Sequence, residues 1–292
     1  MYRYLVIYLL LLLPSFVSAQ VISNWDDNNG IINTWNDQAE PVHGFDETLE
    51  EFSETPDTLK CNPSEIDIPV IGARTITING KKVQVPTMFV DGIDFFMLMP
   101  EGISIMMAAS PTAYYEEPDN DTIKWIRYYA FSKRQSTARL FKKFSEWEKF
   151  ISLTMLAEGV PEDIGLMCLI ESGCSYTAVS NVGATGMWQF MPETAREMGL
   201  EVSELRDQRK DPIESTKAAA RYLKSLYKSL GSWTLAIASY NCGIGRTENL
   251  VKRYKTKDWA ELKHSFPIET QQYIPALQAI HYVWTYRSEF GL

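Results

Sequence analysis

The run Leu169-Ile170-Glu171-Ser172-Gly173-Cys174 sets a carboxylate at the end of an apolar segment. Pro161-Glu162-Asp163 opens that segment as a helix, with proline at the first helical position and acids near the positive end. Ile164, Cys168 and Glu171 then recur at i, i+4 and i+7, so the glutamate shares a face with apolar neighbours. It falls in the last helical turn, where the dipole disfavours negative charge, and Gly173 ends the helix just beyond it. Desolvation and dipole both favour the protonated form. A free glutamic acid titrates near pH ~4.3, so a proton donor at neutral pH needs that value lifted, which burial does. Glu171 is therefore placed like a general acid, although placement alone does not assign that role, since a glutamate at a helix end is more often a solvated or salt-bridged surface group.

Two glycine-rich turns accompany it. SNVGATGMWQFMPETA (180–195) is a loop entering a helix, and AIASYNCGIGR (236–246) is a helix running into a second such turn. The elements that must position them read as helices at 122–131, 135–144, 146–158, 161–172, 192–199, 212–230, 233–240, 246–254 and 268–287. Asp211-Pro212-Ile213-Glu214 supplies an N-cap, a first-turn proline and an acidic third position, and Ile213, Ala220, Leu223, Tyr227 and Leu230 form one stripe behind them. Asp211 is the obvious second acid, but its cap setting assigns it to structure. Ser232 caps the next helix, and Gly243 and Gly245 break the chain after it.

The fold class is mainly α: a helical domain over 122–292 preceded by a small, partly β N-terminal segment over 62–121. In that segment TITINGKKVQV alternates Ile76, Ile78, Val83 and Val85 about Asn79-Gly80, a hairpin signal. FFMLMP and ISIMMAA are apolar enough to pack on something, without an assignable role.

Four ordered stretches, ES at 171–172, GMWQFMP at 186–192, ASYNCGIG at 238–245 and ETQQYIP at 269–275, resemble the motifs of the lytic transglycosylases with a goose-lysozyme-like fold. The resemblance covers about residues 122–287. It implies a lysozyme-like helical catalytic domain that cleaves the β-1,4 bond between N-acetylmuramic acid and N-acetylglucosamine in peptidoglycan, leaving 1,6-anhydro-N-acetylmuramic acid. It also implies Glu171 as the single catalytic acid/base. Substrate-binding parts pass by position to Ser172, Ser180, Gly186, Met187, Gln189, Met191, Tyr240, Asn241 and Tyr273, with Tyr240 matching the tyrosine that steers the catalytic carboxyl. No cofactor or metal is implied. The alternatives are a lysozyme-type muramidase that uses water, or a non-catalytic peptidoglycan-binding protein that keeps the cleft.

Compartment and partners follow from the remaining features. Arg3, the apolar run Leu5–Leu13, Pro14 and Val17-Ser18-Ala19 read as a secretory signal over residues 1–19, cut after Ala19, so the product is expected in the periplasm or cell envelope. The run is well short of the roughly 20 residues of a spanning helix. No cysteine follows it and no LysM-like repeat closes the sequence, so anchoring by lipid or by such repeats is not expected. Residues 20–61, with ten Asp or Glu against one Lys, read as a flexible acidic linker. Residues 1–121 carry 5 Lys+Arg and 19 Asp+Glu, while 122–292 carry 23 and 18. That mild excess argues against nucleic acid and suits peptidoglycan glycan strands as the partner of a monomer, with peripheral contact to membrane or wall machinery. The acidic segment is also placed to lie over the basic part and restrain it. Cys61, Cys168, Cys174 and Cys242 permit three full pairings. Cys168 and Cys174, six apart on or near one helix, are expected to point apart and not to pair. The resemblance brings the motifs next to Cys174 and Cys242 together, as a disulfide or as two buried thiols.

Overall fold

The computed structural model describes residues 70–78, 81–90 and 93–292. The signal reading, the acidic stretch 20–61, Cys61 and the Asn79-Gly80 turn lie outside the described residues. Strands β1 (Val70–Ile78) and β2 (Lys81–Val90) pair antiparallel, with Ile76 opposite Val83 and Ile78 opposite Lys81. Val85 and Thr87 are buried while Gln84 and Pro86 beside and between them are exposed, as the period of two requires, and Val83, on the buried face but nearer the start of the strand, is open. A two-residue strand β3 (Ile93–Asp94) completes the sheet in the order β1-β2-β3.

The apolar stretch without an assigned role is a helix, α1 (Pro100–Ala109), which buries Ile103, Met106 and Met107. Gly102 lets it start hard against the preceding turn, since a Cβ there would lie 1.8 Å from the Phe96 carbonyl oxygen. Helix α2 (Asn120–Arg127) passes through a wide turn at Tyr128–Ser132 into α3 (Arg134–Glu158). The sequence suggests two helices here, yet α3 is continuous. Lys142, Lys143, Ser145 and Glu146 lie on its exposed side, where no packing interrupts the ladder.

The later elements are α4 (Met167–Ser172), α5 (Pro192–Glu197), α6 (Pro212–Leu230), α7 (Trp233–Cys242), α8 (Ile244–Tyr254), α9 (Trp259–Leu262) and α10 (Ile268–Thr285). One buried cluster joins them to the N-terminal segment, running from Met97, Ile103 and Tyr114 through Met155, Met167 and Trp188 to Ile274 and Phe290. The stripe of α6 is rotated from the one its sequence suggests. Leu223, Leu226 and Leu230 are buried, whereas Ile213 and Tyr227, at the margins, are exposed.

Asp211 caps α6, its carboxylate accepting from the amides of Ile213 at 2.9 Å and Glu214 at 3.1 Å. Asp211→Ala is expected to cost about 1 kcal/mol, read as a drop in Tm of about 2–4 °C. An unchanged Tm would show that the cap contributes nothing.

Candidate active site

The helix that carries Glu171 is shorter than its sequence suggests. A tight 3-10 turn covers Glu162–Leu166, and only Met167–Ser172 are α-helical. Gly165 lets this turn pack close against α3, because a Cβ there would lie 2.6 Å from the Ile151 side chain. Gly173 ends α4 in the left-handed conformation at φ +59°, and Cys174 follows at φ +60°.

Glu171 is 8% exposed, so it is desolvated but open to the surface at one edge. Its Oε1 accepts a 2.5 Å hydrogen bond from the Tyr273 hydroxyl. Burial pushes the carboxyl up to about 8; the Tyr273 bond opposes this and the nearby Glu269 charge reinforces it. Glu269 is itself pushed up to about 7 by burial, against the pull of its hydrogen bond from Asn241. Asn241 Nδ2 donates to Glu269 Oε1 at 2.9 Å, and Thr270 Oγ1 donates to Asn241 Oδ1 at 2.7 Å. Glu269 is the residue that sequence reasoning passes over. It lies in the first turn of α10, where an acid reads as an ordinary helix-start residue.

The tyrosine on the carboxyl is thus Tyr273, not Tyr240. Tyr240 donates instead to the Trp188 carbonyl at 2.7 Å, and its hydroxyl is held protonated by burial and by the Glu171 charge nearby. Position in the motif does not reveal this, because the hydroxyl at the end of a long ring reaches whatever lies within one helix turn.

Most of the loop residues act through the backbone. Ser172 Oγ donates to the Met187 carbonyl at 2.9 Å and accepts from the Ser175 amide at 3.1 Å. Ser180 Oγ accepts from the Ala184 amide at 2.9 Å. Gly186, at φ +84°, lies where a Cβ would come within 1.9 Å of the Arg209 carbonyl oxygen, so no other residue fits. The Arg209 guanidinium, paired with Asp207 at 2.8 Å, donates to the carbonyls of Gly183 and Phe190 and clamps the loop from the other side. Met187 and Trp188 are fully buried, and the Trp188 indole donates to Thr216 at 2.9 Å. Met191 is 37% exposed.

Gln189 differs from its neighbours. It is 5% exposed and held at φ +46°, its amide nitrogen donates to the Gly186 carbonyl at 2.8 Å, and its Oε1 is buried without a partner. A buried acceptor left open in this way is suited to a ligand's N–H.

Cys168 and Cys174 do not point apart. The two left-handed residues turn the chain back, so that the Cys174 amide bonds the Cys168 carbonyl at 3.0 Å and the sulfurs stand 2.9 Å apart. Helical spacing ceases to apply past Gly173. Burial, reinforced by Cys174 and Glu171, pushes the Cys168 thiol well up, and Cys242 is a free half-buried thiol beside Thr247.

Residues 157–263, which hold Glu171 and both glycine-rich turns, match the Transglycosylase SLT domain. The chain is homologous to membrane-bound lytic murein transglycosylase D of Escherichia coli (strain K12), with 28% identity over 178 residues, 60% of this chain and 39% of that relative. Membrane-bound lytic murein transglycosylase F of Shewanella sediminis (strain HAW-EB3) is 28% identical over 220 residues, 64% of this chain and 44% of that one. The crystal structure of the 70 kDa soluble lytic transglycosylase Slt70 from Escherichia coli aligns at 20% identity and a TM-score of 0.44, over 63% of this chain and 33% of that chain. The matches to the two curated relatives span well under half of their length.

The buried acid has a signature in stability. Glu171 rises from 4.5 to about 8 on folding, so between those pH values the folded chain keeps a proton that the unfolded chain has released. Stability therefore falls as pH rises through that window, and Glu269 adds the same sign up to about 7. Glu171→Gln cannot ionise and is expected to melt increasingly above the parent protein as the pH climbs toward 8. A Tm difference that does not change with pH would refute a buried neutral acid.

Proposed function

We propose that the chain is a peptidoglycan lytic transglycosylase of the periplasm or cell envelope, acting on glycan strands as a monomer. The observation that carries this reading is the Glu171 carboxyl. It is buried, it is neutral at physiological pH, it is held by Tyr273, and it sits inside the SLT match.

Glu171 first gives its proton to the departing glycosidic oxygen, while the N-acetyl carbonyl of the muramic acid supports the positive anomeric carbon. The resulting carboxylate then takes the proton of the sugar's C6 hydroxyl, whose oxygen attacks C1 and closes the 1,6-anhydro ring. A pKa near 8 serves both halves: the group begins protonated at neutral pH, and its conjugate base is stronger than an ordinary carboxylate. The Tyr273 hydroxyl supports the charge that exists only between the two transfers. The attacking hydroxyl is already tethered to the reacting sugar, so orientation replaces the capture of a water.

In this reading the open Gln189 Oε1 accepts an acetamido N–H, and the exposed edge of Met191 meets the apolar face of a sugar. Gly186, Met187, Ser172 and Ser180 shape the wall of the site. Asn241 with Glu269 borders it, and Tyr240 fixes the Trp188 carbonyl.

The test is turnover of purified peptidoglycan followed by mass analysis of the released sugars. The parent protein is expected to release anhydro-muramic ends, one water lighter than hydrolytic products, and Glu171→Gln to lose roughly 10²–10⁴-fold in rate with its fold intact. Products bearing a full water at the new end would make the protein a muramidase, and activity surviving in Glu171→Gln would remove Glu171 from the reaction. Tyr273→Phe removes the bond that lowers the Glu171 pKa. It is expected to reduce kcat roughly tenfold and to move the alkaline limb of the pH–rate profile upward. An unmoved limb would separate Tyr273 from the titration.

A further inference from the structure

We propose that Cys168 and Cys174 are the site of a disulfide that staples the turn ending the Glu171 helix. Their sulfurs stand 2.9 Å apart and both side chains are buried, so closing to the ~2.05 Å of an S–S bond takes less than an ångström of side-chain movement. The backbone is already committed to the closed form. Gly173 and Cys174 are both left-handed, and the Cys174 amide reaches back to the Cys168 carbonyl at 3.0 Å. A left-handed non-glycine residue is disfavoured on its own, and a covalent bond across the turn would hold Cys174 there. Glu171 lies midway, three residues from each cysteine, so the staple brackets the last turn that sets the carboxyl's direction.

The chemistry is thiol–disulfide exchange with an oxidised partner of the disulfide class, a small-molecule disulfide or a protein dithiol oxidase. One cysteine thiolate attacks the partner's disulfide and expels one partner thiolate. The second cysteine then displaces the remaining partner sulfur. Two S–H bonds of this chain are lost, one S–S bond forms, and the partner leaves as two thiols. An exported chain meets such partners. Burial suppresses the Cys168 thiolate and shields both sulfurs, so the bond forms while the domain folds and afterwards resists reduction.

The experiment refolds the full chain in mixed reduced and oxidised glutathione, quenches with acid, and alkylates without reductant. Cleavage after Glu171 then puts the two cysteines on separate peptides. The expected result is a Cys168–Cys174 linked pair of peptides with Cys242 alkylated. Separate alkylated peptides, or either cysteine linked to Cys61 or Cys242, would overturn the proposal. In melting, the oxidised protein is expected to lie about 5 °C above both its reduced form and Cys174→Ser. Oxidised and reduced forms that melt together would overturn the staple.

One consequence rests on the transglycosylase reading. On soluble glycan fragments, reduction after brief unfolding should lower kcat on the order of tenfold with KM unchanged, through misdirection of Glu171. An unchanged kcat would remove the positioning role. The peptide map and the melts stand whether or not the protein cleaves glycan.

Discussion

A carboxyl group is kept out of water at the negative end of a short helix, and the rest of the site is organised by that fact. An ionised glutamate there would need several donors, and Glu171 has one hydroxyl, from Tyr273. Desolvation therefore exceeds hydrogen bonding, and the group stays protonated. Glu269 acts in the same direction: a second half-buried carboxyl nearby makes ionisation of either one raise the cost of ionising the other. Adding donors around Glu171 would stabilise the fold and spoil the acid, which accounts for a buried site so sparing in hydrogen bonds.

Around this poorly solvated group the backbone is fixed with unusual redundancy. The carbonyls of Gly183, Gly186, Met187, Trp188 and Phe190 each accept from a side chain, respectively Arg209, Gln189, Ser172, Tyr240 and Arg209. Apart from Gln189, which belongs to the loop itself, the donors come from α4, α7 and the segment before α6. Any shift of one element relative to another would break bonds at several points of the loop. These bonds also account for the left-handed backbone held at both Gly186 and Gln189.

Legibility in the sequence followed the range of the interactions. Periodicity and caps, which are local, marked α6, α7 and α10, the Asp211 cap and the β1–β2 hairpin. The apolar setting of Glu171 was legible as well, from its apolar sequence neighbours, although the 3-10 turn at Glu162–Leu166 breaks the helical spacing back to Ile164. Four features escaped. Helix α1 lacks a polar face, so it gives no amphipathic signal, and what it packs on is set by long-range contacts such as Tyr286 on the Met106 carbonyl. The Tyr240–Tyr273 exchange and the Glu269–Asn241 pair depend on contacts across 52, 102 and 28 residues. The Cys168–Cys174 contact lies just past a left-handed turn, where helical geometry no longer predicts direction.

The N-terminal segment acquires a role from the same contacts. Helix α10 carries Glu269 and Tyr273 at one end, and near its other end Tyr282 and the adjoining Tyr286 donate at 3.0 Å to the carbonyls of Met97 and Met106. Arg127 of α2 donates to the Leu98 carbonyl, and Arg74 of β1 pairs with Glu289 just past α10. These N-terminal elements therefore brace the far end of the helix whose near end holds Tyr273, the partner of the Glu171 carboxyl. A helix is stiff along its axis, so restraining one end limits sliding at the other. In the proposed reaction Tyr273 has to keep its hydroxyl on Glu171 while the carboxyl changes charge twice, and a loosely seated helix would let that bond lengthen when it is most needed. In this fold the sheet and α1 are mechanical parts of the site, though none of their residues reaches the carboxyl.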